Sequence, residues 1–297
     1  MTFDEYQQRA SATDASEISK SEDFSILLLG LAGETGSLLT LYKKWLRDGD
    51  AFQVVDKRIS EELGDILWYL SAIARRQQLS LDAIAEQNLK KTSSRWLGSR
   101  QHVLFDESCE VHERLPRTFV AELRDVDDGE GRYVTRMRLD GESLGAALTD
   151  NSYEQDGYRF HDLLHLAFVA ILGWSPVIRS LLKRKRKSNL ILDEVEDGGR
   201  AIAVEEGLAA LVFTYASQHS MLDGVRTIDW SLLQTCSNMT MGLEAGQKPL
   251  FDWERSIIDA FAAWRLAIAE RGVRVYGDLT NQEFRSESLR DNPPSQA

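Results

Sequence analysis

Apolar residues recur at helical spacing through most of the first hundred positions. Four stretches carry this pattern, at 3–11, 24–45, 54–76 and 80–96. Asp48-Gly49-Asp50 stops the second stretch, and Ser80 followed by Asp82 is typical of a helix start. Because the connections between them are short, these stretches predict a compact four-helix bundle.

The pattern changes after position 117. Residues 118–149 contain two β-rich runs around a glycine-containing turn, which predict a β-hairpin, followed by a turn and a short helix. Beyond Tyr158 the helical pattern returns at 160–172, 177–187, 201–217, 230–241 and 252–271. Residues 193–199 are predicted as an acidic loop.

These patterns predict a mainly α protein, in which a bundle is followed by an α-rich domain with a small β-hairpin. The predicted divisions are a bundle domain at 1–97, a linker at 98–117, the α-rich domain at 118–285 and a disordered tail at 286–297. The linker is placed where helical periodicity fades and acids accumulate, and the tail contains two adjacent prolines.

Composition restricts the partners. The chain has 297 residues, enough for two ordinary domains, and a net charge of −12 argues against binding to duplex DNA. Its two cysteines form no C-x-x-C motif, and the N-terminus lacks the basic and apolar regions of a signal peptide. We also see no apolar run near the roughly 18–20 residues that cross a bilayer. We therefore expect a cytoplasmic protein without a membrane segment.

Three acids are the first candidates for chemistry. Glu62 and Asp65 are three residues apart and share a helix face, and Glu34 belongs to another apolar stretch. Carboxylate oxygens suit Mg²⁺, which keeps coordination positions open for water and phosphates. The alternative is that all three acids lie on solvated helix faces, but acids in such apolar surroundings need a partner.

Residues 2–97 resemble the MazG-like, all-α nucleoside triphosphate pyrophosphohydrolases. That family carries E-x-x-E, a spacer, E-x-x-D, and then an asparagine and a lysine. The matching residues in this chain are Glu34, Glu62, Asp65, Asn88 and Lys91. Ser37 stands where the family has its second glutamate.

The resemblance implies a hydrolase that cleaves a (d)NTP to a (d)NMP and pyrophosphate with Mg²⁺ or Mn²⁺. It implies metal binding by the three acids together with Ser37, nucleotide contacts by Asn88, Lys91 and Tyr69, and a homodimer or higher assembly. Core packing remains the alternative for Tyr69, and Lys44 is a further phosphate candidate near a helix end.

Ser37 leaves a second interpretation open, because a hydroxyl carries no charge and weakens the metal site. The protein is then a catalytically weakened nucleotide sensor, read out by its C-terminal domain. Glu61 is rotated by about 100° from Glu62 on the helix and is interpreted as a surface acid, a base or an indirect contributor.

A second candidate metal site lies in the C-terminal half. His161 and His165 are four residues apart on one predicted helix face, a spacing that can chelate Zn²⁺, Mn²⁺ or Fe²⁺, and Asp162 lies between them. Glu205 and Glu206 could add a carboxylate. The His161-Asp162 pair resembles that of the HD phosphohydrolases, although the rest of that pattern is absent. Either these histidines are structural, or this domain is itself a metal-dependent phosphohydrolase.

The five consecutive cations at 183–187 form the last unusual feature. The first interpretation is a solvated helix end. The alternatives are a grip on an anionic ligand such as polyphosphate or single-stranded RNA, and a contact between subunits.

Overall fold

The computed structural model describes residues 1–14, 20–49, 55–97, 103–129 and 131–289. The chain divides into two compact units, Met1–Thr92 and Ser93–Ala297. The first is built from helices and the second combines helices with an antiparallel sheet, so the predicted fold class is confirmed. The predicted linker residues 98–102 and tail residues 290–297 lie outside the described residues.

All four helices predicted in the N-terminal part are present. Their bounds are α1 at Phe3–Ala10, α2 at Lys20–Asp48, α3 at Val55–Arg76 and α4 at Leu81–Trp96. The last turn of α4 belongs to the second unit.

The short helix α1 is held by its own cap and by the start of α4. Thr2 and Glu5 form a reciprocal capping box at its first turn. The Asp4 carboxylate accepts hydrogen bonds from the Ser80 hydroxyl and from the backbone N–H of Asp82. Ser80 in turn caps α4, as its sequence signature predicts.

The helices α2 and α3 form the main packing contact of the first unit. Gly30 of α2 lies directly against the ring of Tyr69 on α3, so that a Cβ at position 30 would overlap the ring. Leu27 and Leu41 of α2 and Ala72 of α3 are buried.

Much of the surface of α2 is apolar. The segment Phe24–Asp48 is long and apolar enough, by length and composition, to cross a membrane. Only 11% of its apolar 18-residue window is buried in the structure. The expectation that no segment has this character is therefore wrong, because Glu34 is the one charged residue between Phe24 and Tyr42. One such helix is weak evidence for a membrane span, since the core helix of a soluble protein meets the same criteria.

The second unit contains a five-stranded antiparallel sheet in the order β3-β2-β1-β4-β5. Its strands are β1 at Thr118–Asp127, β2 at Tyr133–Leu139, β3 at Glu142–Leu148, β4 at Gly272–Asp278 and β5 at Glu283–Glu287. Ala121 pairs with Leu139 on one side and with Val275 on the other. The inward residues alternate with exposed ones along β2, as expected for a sheet that covers a core on one face.

The α-helices described in this unit are α5 at Asp162–Ala167, α6 at Pro176–Leu181, α7 at Leu190–Val195, α8 at Gly199–Gln218, α9 at Trp230–Met239 and α10 at Leu250–Glu270. Of these, α10 packs against β4 and β5 of the sheet. A π-helical segment, Phe168–Leu172, continues α5. The core surrounds α5 and α10 and includes the fully buried rings of Phe168, Trp253 and Trp264.

Several predicted elements of this unit differ from the structure. The predicted hairpin is part of the larger sheet, and β3 replaces the short helix expected after it. β4 and β5 were not predicted, and β5 extends into the segment predicted as the disordered tail. Within the predicted acidic loop at 193–199, α7 continues to Val195.

Residues 103–117, predicted as linker, are packed into the second unit. Leu115 is buried, and the buried Asp106 accepts hydrogen bonds from the guanidinium groups of Arg117 and Arg179. These ion pairs, together with the backbone N–H of Leu115, hold the pKa of Asp106 below its usual range despite its burial.

The basic run is not a solvated helix end. Helix α6 stops at Leu181, and Lys183 adopts a left-handed backbone with φ of 57°. Arg186 is fully buried and pairs with Asp197 at 2.9 Å and with Glu244 at 2.8 Å. This fourth cation of the run therefore forms ion pairs in the interior of the unit.

Candidate active site and metal cluster

The helix pair α2–α3 brings the predicted acids near one another. Glu62 is half-buried, and its pKa is raised by partial desolvation and then by the charges of Glu34 and Asp65. A hydrogen bond with Glu34 and the charge of Glu61 add to this shift. Several carboxylates therefore lie close enough to Glu62 to disfavour its ionised form.

A cavity of about 670 Å³ opens beside Glu62, whereas Glu34 and Asp65 are not among the residues that line it. Acidic and hydroxyl groups line it together with two cations. The lining includes Ser37, Thr40, Lys44, Arg58, Glu61 and Glu62. Such a mixture can receive a divalent ion through its acids and phosphate oxygens through its cations.

Arg58 is a site residue that the sequence analysis missed. It lies on α3 one helical turn before Glu62 and lines the same cavity. The i, i+4 spacing from Glu62 is the signal that could have identified it, because residues so spaced share a helix face.

The residues predicted to contact the nucleotide do not line this cavity. Asn88 and Lys91 are exposed on α4, and neither is among the residues that line the cavity. The ring of Tyr69 lies against Gly30, which is the packing role weighed for it from the sequence. Contacts of these three residues with a nucleotide stay predictions.

The ligand atoms of the histidine cluster in the second unit lie closer together than those of the acids in the first unit. Among the described residues, His161, His165 and Glu206 are the one group of three whose metal-ligating atoms all lie within 4.8 Å of one another. Nε2 of His161 is 3.9 Å, and Nε2 of His165 is 3.7 Å, from the same carboxylate oxygen of Glu206. Asp162 is buried beside them but is not one of the three.

Glu205 holds the ring of His165 rather than joining the cluster. Its carboxylate accepts from Nδ1 of His165 at 2.8 Å, from the Ser175 hydroxyl at 2.7 Å and from the backbone N–H of Val177 at 2.8 Å. Burial opposes protonation of His165, but the carboxylates of Glu205 and Glu206 outweigh it and raise the pKa of this ring to about 10.

Comparison with known proteins agrees with both units. Residues 23–96 match the model of the MazG nucleotide pyrophosphohydrolase domain, and residues 100–290 match that of the MazG C-terminal domain. The Gene 37 protein of Mycobacterium phage L5 is 35% identical over 101 residues, which cover 32% of this chain and 89% of the phage protein. No solved structure matches significantly.

These matches confirm the resemblance found in the N-terminal third and extend the family assignment through the second unit, which the sequence analysis did not recognise. The N-terminal match indicates a nucleotide pyrophosphohydrolase, which is a hydrolase. The chain belongs to the MazG family, with the pyrophosphohydrolase domain followed by the MazG C-terminal domain.

Proposed function

We propose that this protein is a metal-dependent nucleoside triphosphate pyrophosphohydrolase that converts a (d)NTP to a (d)NMP and pyrophosphate. The observation that carries the proposal is the cavity beside α2 and α3, where Glu62 and Ser37 share the lining with Lys44 and Arg58. A triphosphate with its divalent ion needs oxygen ligands for the ion and cationic groups for the phosphates within one site.

The donor set suits Mg²⁺ or Mn²⁺. Glu34, Glu62 and Asp65 supply hard oxygen ligands, and Ser37 supplies a neutral oxygen or holds a water. The raised pKa of Glu62 is consistent with this assignment, because desolvation and then the neighbouring charges of Glu34 and Asp65 disfavour its ionised form. When bound, the ion neutralises phosphate charge and activates the attacking water.

Cationic and amide side chains around the cavity and on α4 then position the substrate. Lys44 and Arg58 line the cavity and can meet the phosphate oxygens, with the guanidinium offering paired donors. Asn88 and Lys91 are the proposed nucleotide contacts from α4. These groups orient the triphosphate for an in-line attack at the α-phosphate.

We also propose that a second copy of the chain covers α2. Its apolar positions on the side away from α3 follow the alternating spacing of four and three residues that is typical of helices packed as coiled coils. The large side chains of this stripe are 47% to 65% exposed. They are Leu28, Leu39, Tyr42 and Leu46, with Ala32 and Thr35 at the intervening positions.

Pyrophosphate release from a panel of NTPs and dNTPs, with Mg²⁺ or Mn²⁺, tests the function. We expect turnover of at least one nucleotide and a loss of more than about 100-fold in Glu62→Gln, because even indirect partners of a metal site cost about 10–100-fold. Glu86→Gln, an exposed acid paired with Lys90, is the matched control and should retain activity.

Two outcomes contradict the proposal. One is the absence of turnover with every nucleotide and both metals, and the other is a Glu62→Gln variant as active as the wild type. Thermal stabilisation by nucleotides without hydrolysis would instead support the sensor interpretation.

A further inference from the structure

The second unit contains a polar site that the pyrophosphohydrolase does not use. We propose that His161, His165 and Glu206 bind a transition-metal ion, with Glu205 as a positioning residue that orients His165. This site is independent of the acids on α2 and α3 and of the function proposed for them.

The spacing of the ligand atoms fits an ion better than it fits direct hydrogen bonds. The two nitrogen–oxygen distances, 3.7 Å and 3.9 Å, exceed the usual limit of about 3.2 Å for N–H···O bonds. Metal–ligand bonds of about 2.0–2.2 Å place two ligands of one ion roughly 3.0–3.6 Å apart. A contraction of a few tenths of an ångström would therefore bring each histidine nitrogen and the Glu206 oxygen to this separation, and the ligand atoms of all three residues already lie within 4.8 Å of one another.

Both rings are oriented to present Nε2 to this point. Nδ1 of His161 is 3.0 Å from the backbone carbonyl oxygen of Tyr158, and Nδ1 of His165 is 2.8 Å from Glu205. A proton on each Nδ1 leaves the Nε2 lone pair directed at the cluster. This is the carboxylate–histidine or carbonyl–histidine arrangement that supports metal-binding histidines.

His165 Nε2 gives the strongest indication. The side chain of His165 is fully buried, and Nε2 has no hydrogen-bond partner in the structure. A buried polar atom without a partner costs free energy, so its persistence calls for a ligand or a proton-mediated ion pair. An ion bound to Nε2 satisfies this atom directly.

Glu205 is built for a supporting role. It is fully buried and accepts three hydrogen bonds, of which the one from Ser175 comes from the residue that caps α6. Its oxygens are thus committed to fixed donors, whereas the neighbouring Glu206 side chain is 43% exposed and can turn toward an ion. Three protein ligands and one solvent-facing side leave a coordination position for water or a small anion, as in catalytic metal sites.

The imidazole ligands select the kind of ion. Two imidazoles with one carboxylate suit Zn²⁺, Fe²⁺ or Co²⁺ better than Mg²⁺, which prefers oxygen ligands. Excess Mg²⁺ can therefore saturate the acids of the first unit while Zn²⁺ or Co²⁺ is titrated into the second.

The test is titration of the chelator-treated full chain with Co²⁺ in excess Mg²⁺, followed by visible absorption, and with Zn²⁺ by calorimetry. We expect one site per chain, with cobalt d–d bands that zinc abolishes. His161→Ala should remove binding, and Glu206→Gln should weaken it at least tenfold. Glu205→Gln should weaken it by about 10–100-fold, as expected for a positioning residue.

His219→Ala is the matched control, because His219 is an exposed histidine at the end of α8 and should leave binding unchanged. Glu206→Gln replaces a partly exposed side chain with one of the same shape, so this variant tests the ligand without emptying the core. Far-ultraviolet circular dichroism checks the fold of each variant.

Absence of Co²⁺ and Zn²⁺ binding by the folded wild-type protein would overturn the proposal, and so would equal losses in His161→Ala and His219→Ala. In that case His165 is an imidazolium held between Glu205 and Glu206. Pyrophosphate release by the first unit would be unaffected, so failure here is distinguishable from failure of the proposed pyrophosphohydrolase.

Discussion

The two candidate metal sites differ in how completely the protein assembles them. In the first unit, Glu34, Glu62 and Asp65 influence one another electrostatically, but they are not gathered within 4.8 Å as a group of ligands. In the second unit, His161 and His165 are fixed by hydrogen bonds from their far nitrogens. Desolvation and then the charges of Glu34 and Asp65 disfavour the ionised form of Glu62, whereas the carboxylates of Glu205 and Glu206 favour the charged form of His165.

This contrast extends to the charged residues of the two units. The second unit buries Arg179, Arg186, Asp106 and Asp197 as ion pairs. The first unit leaves its functional acids partly exposed and has a largely exposed apolar helix. The first unit therefore leaves its candidate acids and apolar helix open to an ion, a substrate and a partner, whereas the second pairs these buried charges within its own interior.

The largest expected effect concerns this internal pairing. Arg186→Met should destabilise the second unit by about 3–5 kcal/mol, because it takes a main partner from the buried carboxylate of Asp197 and from the partly buried carboxylate of Glu244. Urea denaturation followed by tryptophan fluorescence measures the change. Lys187→Met, at the exposed neighbouring position, should stay within about 0.5 kcal/mol of the wild type.

A loss below about 1 kcal/mol in Arg186→Met would break the comparison. It would mean that this ion pair contributes no more than an exposed one.

The next effect concerns the apolar stripe on α2. Leu39→Glu should weaken self-association at least about 100-fold, or roughly 2.7 kcal/mol, because it buries a carboxylate in an apolar contact. Sedimentation velocity over a range of protein concentrations measures this. Leu190→Glu makes the same change at an 80% exposed leucine of α7 and should leave the assembly intact.

A wild-type protein that is monomeric at every concentration would contradict the proposed covering of α2. The apolar length of this helix would then need another explanation, and co-sedimentation with lipid vesicles would test a membrane contact.

The helices of the first unit could be predicted because their local signals agree. The Ser80 cap, the stop after Asp48 and the apolar periodicity all give the same boundaries to within a few residues. The acids could be proposed for the same reason, since the spacing of Glu62 and Asp65 fixes their shared face. In the first unit, the local sequence is therefore enough to predict the local structure.

Long-range pairing explains what could not be predicted. The edge strand β5 is short, and β4 pairs with β1 across about 150 residues of sequence, for which no local pattern exists. The basic run was misinterpreted for a similar reason, because the partners of Arg186 lie on separate later segments. The supporting role of Glu205 likewise depends on Ser175 and Val177, which only the fold brings to it.

The smallest expected effect concerns Ser37, where this chain lacks the family's fourth acid. Ser37→Glu should lower the Mg²⁺ concentration for half-maximal pyrophosphate release about tenfold, or roughly 1.4 kcal/mol, because attraction to the ion exceeds repulsion from the neighbouring acids. Ser37→Gln adds similar bulk without charge and should show no such gain. Equal metal requirements in the two variants would show that charge at this position is not what limits the site. Turnover that appears only in Ser37→Glu would show that the serine has made the natural protein a nucleotide sensor.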